Sequence, residues 1–237
     1  MRKSNFSFAW AFLFLVGSNL SAASPALDET LTPVSRADLC VTEGAIAELP
    51  GHRLSVSVPK MRAYLDAITP QAVEVHFKYL GATGNEARLG SGELRRQFGL
   101  KLRAQDACNL LYAMWRIEPE PKLVVSVKTN PLQHTSAECG NRGYRNLKPR
   151  VSKPVPILRP GDVDTLRAEL SGTEMRVFVD DGLVWEGSVG PEALNLEGPV
   201  GVRSDNARFE IELRAALPRK SQPGQAAGCR SGAADSD

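Results

Sequence analysis

The chain has 237 residues, 24% of them charged and 42% hydrophobic, with 29 Lys and Arg against 27 Asp and Glu. That length suits one all-β domain and is enough to bury a large core. The small basic excess comes from Arg2 and Lys3, and without them acids and bases are level, so there is no whole-protein electrostatic case for nucleic acid or an anionic membrane.

Arg2 and Lys3 precede an apolar run from Phe6 to Val16, and Ser21-Ala22-Ala23 offers small residues for cleavage. This pattern predicts a secretory signal peptide over 1–23. The run is too short for a membrane span, which needs about 20 residues, and no later stretch is apolar for that long. The expected product is a soluble exported chain, secreted or periplasmic, with no membrane span after cleavage.

Residues 24–50 read as a polar, Pro-containing N-terminal extension, and a single domain is expected over 51–217. Leu54, Val56 and Val58 alternate with serines, giving a short strand that ends at Pro59. Lys60 to Ile68 reads as a helical turn or a loop. Val73, Val75, Phe77 and Tyr79 alternate with Glu74, His76 and Lys78, the period of a half-buried strand. Gly81 to Gly92 holds four glycines and reads as a mobile loop.

Phe98, Leu100 and Leu102 mark the next strand. From Asn109 to Glu118, Leu111, Ala113, Trp115 and Ile117 should face inward, and Tyr112, Met114, Arg116 and Glu118 outward. Glu118-Pro119-Glu120-Pro121 is a turn, since Pro interrupts both helix and central strand. Leu123, Val125, Val127 and Thr129 follow as a strand, then a long loop from Asn130 to Tyr144. Loops of that length are often functional or pinned. Lys148 to Pro160 is Pro-rich and reads as an edge or sheet-switching segment.

The clearest patterning runs from Leu166 to Leu213. Leu166, Ala168 and Leu170 alternate with Arg167 and Glu169, and Met175, Val177 and Val179 form the partner strand. Asp181-Gly182 is the expected two-residue hairpin turn, Gly supplying the positive φ that a type I′ turn needs. Leu183, Trp185 and Val189 continue the inward face, and Phe209, Ile211 and Leu213 close it. Residues 218–237 lack aromatic and large aliphatic side chains and read as a flexible tail. The sum is about ten strands, almost no helix and tight turns: an all-β, antiparallel two-sheet β-sandwich.

The segments VDDG, LVWEG and GPVGVRSDNARFEIEL resemble the C-terminal third of concanavalin A-like (laminin-G-like) jelly-roll domains. The blocks CNLLYAMWRIEP and ECGNRGY are similar to a set of uncharacterised secreted bacterial proteins with that domain. The resemblance implies a jelly roll and a glycan or cell-envelope polysaccharide as partner. It does not imply one reaction, because lectins, binding modules, hydrolases and lyases share the fold.

Four cysteines in an exported chain point to disulfides. Three pairings exist. The favoured one joins Cys108 to Cys139, which closes a short loop, and Cys40 to Cys229, because jelly-roll termini tend to lie close together. No C-x-x-C is present for zinc.

Outward-facing polar and aromatic residues are the candidate carbohydrate contacts: Glu74, His76, Arg103, Tyr112, Arg116 and Glu118 on strands, and Tyr144 after the long loop. Sugars take flat rings for stacking and paired donors and acceptors for hydroxyls, although alternation alone yields such a set on any solvated sheet face. Trp115 and Trp185 fall on inward faces and read as core. Calcium is the cofactor the resemblance brings, since many laminin-G-like domains hold it on loop oxygens. Asp205 and Asn206, with Asp180 and Asp181, are residues of the right type, although turn chemistry also accounts for them.

Glucanases of the superfamily carry an E-x-D-x-E-like array, and here Glu210-x-Glu212 is the nearest segment and lacks the third acid. The lyases use Gln-x-His, and Glu74 stands two before His76. The leading expectation is a secreted, non-catalytic, lectin-like domain. The alternatives are a glycan-cleaving hydrolase or lyase with an atypical site, and a structural or protein-interaction module.

Overall fold

The computed structural model describes residues 31–65, 71–215 and Cys229. The expected signal peptide, and the tail apart from Cys229, lie outside the described residues. Sixteen strands follow in chain order: Thr32–Pro33 (β1), Leu39–Glu43 (β2), Ala47–Leu49 (β3), Arg53–Val56 (β4), Lys60–Leu65 (β5), Ala72–Ala82 (β6), Arg96–Leu102 (β7), Leu110–Glu118 (β8), Lys122–Lys128 (β9), Tyr144–Asn146 (β10), Val151–Ser152 (β11), Val163–Ser171 (β12), Glu174–Val179 (β13), Gly182–Ser188 (β14), Gly201–Asp205 (β15) and Ala207–Ala215 (β16). A one-turn helix, Ser136–Cys139 (α1), and two 3-10 turns complete the described elements.

The strands form two antiparallel sheets. The nine-stranded sheet runs β11-β14-β13-β12-β6-β16-β4-β3, with β1 beside β16, and the seven-stranded sheet runs β10-β9-β8-β7-β15-β5-β2. Their inner faces bury one core, because period-2 alternation sends every second side chain the same way. Its centre is aromatic. Phe98 and Phe209 lie 4.4 Å apart across the sheets, and Phe77 meets Trp115 edge-on at 5.6 Å and 88°. Trp115 and Trp185 are both buried, as their inward positions require.

Three local expectations change. Lys60–Leu65 is a strand, not a helical turn or loop. Lys60, Arg62 and Tyr64 do alternate with Met61, Ala63 and Leu65, but Arg62 and Tyr64 are buried too, so their face is covered by protein as well. The hairpin turn is Asp180-Asp181, with φ of 46° and 63°, since Val179 pairs with Gly182. Asp tolerates the left-handed region better than most residues, and the Asp180 carboxylate accepts the Thr165 N–H at 2.8 Å. A bulge between Val177 and Phe178 then shifts register, so Val184 joins Trp185 in the core in place of Leu183.

Both disulfides take the favoured pairing, Cys108–Cys139 and Cys40–Cys229. The chain crosses between sheets at Asn206, which separates β15 from β16 and has a φ of 58°.

Candidate functional site

The two outer faces differ in kind. On the nine-stranded sheet, charges neutralise one another. Glu74 takes His76 Nε2 at 2.7 Å and lies 3.7 Å from Arg214 and 3.9 Å from Arg167. Arg167 pairs with Glu169, and Arg150 with Glu174 and Glu186. This is a solvated, self-paired surface, each exposed pair of small energetic weight.

On the seven-stranded sheet a groove of about 210 Å³ crosses the outer face. Its floor comes from alternate residues of β7, β8, β9 and β15. Gln97, Met114, Arg116 and Arg203 lie on it, with Tyr112 and Ser126 beside them. One wall is the loop between β6 and β7, which brings Ser91, Glu93 and Arg95. The other is the end of the long loop, which brings Asn141, Tyr144 and Asn146. The walls meet where a Cβ on Gly90 would lie 3.8 Å from that of Asn141.

Both walls are pinned. Asn206 accepts the Ala87 N–H on Oδ1 at 2.8 Å and donates from Nδ2 to the carbonyls of Ala87 and Arg95, at 2.8 and 2.9 Å. The long loop is fastened by the Cys108–Cys139 disulfide and by Asn130, which donates to the carbonyls of Cys108 and Arg142 at 3.2 and 3.0 Å. Helix α1 carries a capping box, Thr135 with Glu138.

Beneath the floor lies a buried ionic network. The Asp205 carboxylate receives Arg62 at 2.6 Å, Arg203 Nε at 2.9 Å and Gln97 Nε2 at 2.6 Å. Burial alone would push its pKa up, but the charges of Arg203 and Arg62 and the bonds from Arg203 and Gln97 more than offset this, holding it far below the usual carboxylate range. Held so, Arg203 sits over the Tyr112 ring at 5.4 Å, a cation–π contact. Tyr112 in turn stacks on Tyr144, with centroids 5.9 Å apart and planes at 29°. Lys128 Nζ lies 4.9 Å from the Tyr144 ring centroid.

Gln97 and Arg116 are direct cross-strand partners. Gln97 Oε1 and Arg116 Nε are both buried with no hydrogen-bond partner among the described residues. Burial and the Arg95 charge lower the Arg116 pKa, and the more distant charges of Glu93 and Glu120 offset part of this. An acceptor and a guanidinium therefore sit side by side in the groove, next to a tyrosine pair. Such a surface can stack a flat apolar ring face and exchange hydrogen bonds with polar groups around it.

The structure thus brings together Tyr112, Arg116 and Tyr144 of the sequence candidates. Glu74 and His76 belong to the opposite sheet and cannot share a ligand with them. Arg103 lies past the end of β7 with a φ of 47° and donates to the carbonyls of Ala193 and Leu194, outside the groove. Glu118, at the end of β8, pairs with Arg96 and is also outside it. Asp205 and Asn206, the candidate metal ligands, are engaged within the protein: the carboxylate serves two guanidiniums, and the amide oxygen accepts the Ala87 N–H. Among the described residues no group of three or more His, Cys, Asp or Glu is arranged to hold a metal ion. Gln97, Arg95, Arg203, Asn141 and Asn146 also line the groove, and the sequence pattern does not single them out. Gln97 shares the outward parity of Lys101, and Arg203 sits in GPVGVRSDN, which gave the only available signals.

No protein-family model matches the sequence, and no curated protein does. Solved structures do match. The carbohydrate-binding module CBM66 from Bacillus subtilis aligns with a TM-score of 0.50 at 15% identity, over 73% of this chain and 91% of that one. SCLam, a non-specific endo-β-1,3(4)-glucanase, aligns at 0.49 and 10%, over 81% and 92%. LamAcat from Zobellia galactanivorans aligns at 0.45 and 14%, over 70% and 78%. At such identities the likeness is one of fold: with its own two antiparallel sheets the chain is a two-sheet jelly-roll sandwich, similar in fold to the CBM66 module.

Proposed function

We propose that the protein is an exported, non-catalytic glycan-binding domain, and that the groove on the seven-stranded sheet is its binding site. The observation that carries this reading is the Gln97–Arg116 pair, with an unfilled acceptor and an unfilled donor beside the stacked Tyr112 and Tyr144. A saccharide needs that combination: a ring face for contact and neighbouring donors and acceptors for adjacent hydroxyls. The carbohydrate-binding module among the structural neighbours supports the class at fold level.

Binding is favoured over cleavage by the acids present. Glycosidases generally use two carboxyls about 5–10 Å apart. Glu93 is the one carboxylate among the lining residues, since Asp205 is sequestered by its arginines. Export is supported by the apolar leader and by two disulfides, which persist in oxidising compartments.

The test is calorimetric titration of the folded, oxidised chain against glycans first selected on an array, with product analysis on the same samples. Saturable binding without turnover, weakened by Gln97→Ala, is the expected result. Accumulating product would turn the reading to an enzyme. Absence of binding to every glycan would remove the sugar reading.

A further inference from the structure

The charges in the groove do not balance. Three guanidiniums, Arg95, Arg116 and Arg203, and one carboxylate, Glu93, line it. Arg203 is neutralised from below by Asp205. Arg95 is neutralised by Glu93. Arg116 has no carboxylate in contact among the described residues, Glu93 and Glu120 acting on it only at longer range, and its Nε is buried without a hydrogen bond. A half-buried guanidinium with no carboxylate in direct contact is costly, and the fold places this one on β8, an interior strand of its sheet, directly opposite Gln97. The opposite outer face is the internal comparison. There, Arg150, Arg167 and Arg214 each have a carboxylate within 4 Å.

We infer that the groove takes an anionic glycan, with a carboxylate or sulfate group of the saccharide seated on Arg116. The inference rests on the glycan-binding reading and names its ligand class. A guanidinium suits either group, because its planar fork matches two acceptor oxygens. Gln97 Oε1, across the strand, would accept a hydroxyl next to the anion. Glu93 opposes the same ligand, and its pairing with Arg95 limits that repulsion.

The experiment uses the full chain, produced in an oxidising compartment, on an array of uronate-bearing, sulfated and neutral glycans. It is followed by titration with matched pairs: oligogalacturonate against its methyl ester, and dextran sulfate against dextran. The expected result is binding to one charged member at least about tenfold tighter than to its neutral twin, the scale of one charge-assisted hydrogen bond. Which pair shows it separates uronate from sulfate. Arg116→Gln should abolish that preference, Arg116→Lys should keep part of it, and Glu93→Gln should strengthen binding to the charged member. Arg214→Gln, on the other sheet, should change nothing. Equal or tighter binding to neutral glycans, or a preference that survives Arg116→Gln in a folded variant, overturns the anionic ligand and leaves glycan binding standing. Binding to no glycan of either kind overturns both readings.

Discussion

Asn206 and Ala87, far apart in sequence, hold each other as two paired strands would. The Asn206 side chain accepts the Ala87 N–H and donates to the Ala87 carbonyl, both at 2.8 Å. A third bond reaches Arg95 O at 2.9 Å, so one side chain fastens both ends of a groove wall. The same residue makes the crossing between sheets at a φ of 58°, and Asn is among the residues best suited to that region. Packing, crossing and wall position thus meet in one buried residue.

Asn206→Asp keeps the size and the backbone preference but removes two donors and sets a negative charge against two carbonyls. The expected loss of stability is about 2–4 kcal/mol, from buried acceptors left unpaired. Urea unfolding measures it, and hydrogen exchange at Ala87 should quicken more than exchange at β8. Equal quickening at both sites would mean that Asn206 supports the whole sandwich and not the wall in particular.

Asp205 carries the next prediction. Arg62 and Arg203 are direct cross-strand neighbours, and the carboxylate is what lets two like charges sit together. Asp205→Asn should cost about 3–5 kcal/mol, as removal of one member of a buried ionic group does. Because the folded-state pKa is depressed, the stabilisation is present above the unfolded value near 4 and is lost as pH falls through that value toward the folded one. The wild-type melting temperature should therefore fall steeply below about pH 4, and this part of the fall should be missing in Asp205→Asn.

How much of this was legible in the sequence depends on what each residue's neighbours are. The strands β6, β12, β13 and β16 alternate apolar with polar side chains, and their inward residues are buried as that alternation implies, whereas β8 is apolar on both faces from Leu110 to Trp115. Strand β5 also alternates, Lys60, Arg62 and Tyr64 with Met61, Ala63 and Leu65, but that its Arg62 is buried follows only from pairing with Asp205, far along the chain. Alternation also says in or out but not which sheet. Glu74 and Tyr112 both point outward, yet β6 pairs with β12 and β16 while β8 pairs with β7 and β9, so the candidates divide between opposite faces. Gln97 and Arg203 gain meaning only through Asp205, a relation fixed by long-range pairing.

The hairpin offers a prediction of opposite sign. Asp164, itself buried near the exposed start of β12, lies beside Asp180, and burial, reinforced by the Asp180 charge, pushes its pKa up to about 6. A raised carboxyl pKa means stabilisation that is complete below the unfolded value near 4 and lost as pH rises through 6. Asp164→Asn cannot ionise and keeps a donor for Asp180. It should be more stable than wild type by about 1 kcal/mol at pH 8, and the difference should vanish at pH 4. A thermal-melt series across that range reads the crossover directly.

The separation of the two outer faces gives the last prediction. Tyr144 is half-exposed in the groove, where its ring stacks on Tyr112 and its hydroxyl receives Arg203 Nη1 at 3.4 Å. Tyr144→Ala removes the exposed half of the ring pair, and with it a contact worth about 0.5–1.5 kcal/mol, so glycan affinity should fall by roughly two- to tenfold. Tyr144→Phe keeps the ring and should lose less, because the hydroxyl contact is long. His76→Ala acts on the self-paired sheet, where His76 meets Glu74, and should leave affinity unchanged. Titrating the three variants with one glycan separates the faces. Loss of affinity in His76→Ala with retention in Tyr144→Ala would move the binding site to the nine-stranded sheet, and a loss confined to the tyrosine variants places it on the surface that Asp205 and Asn206 organise.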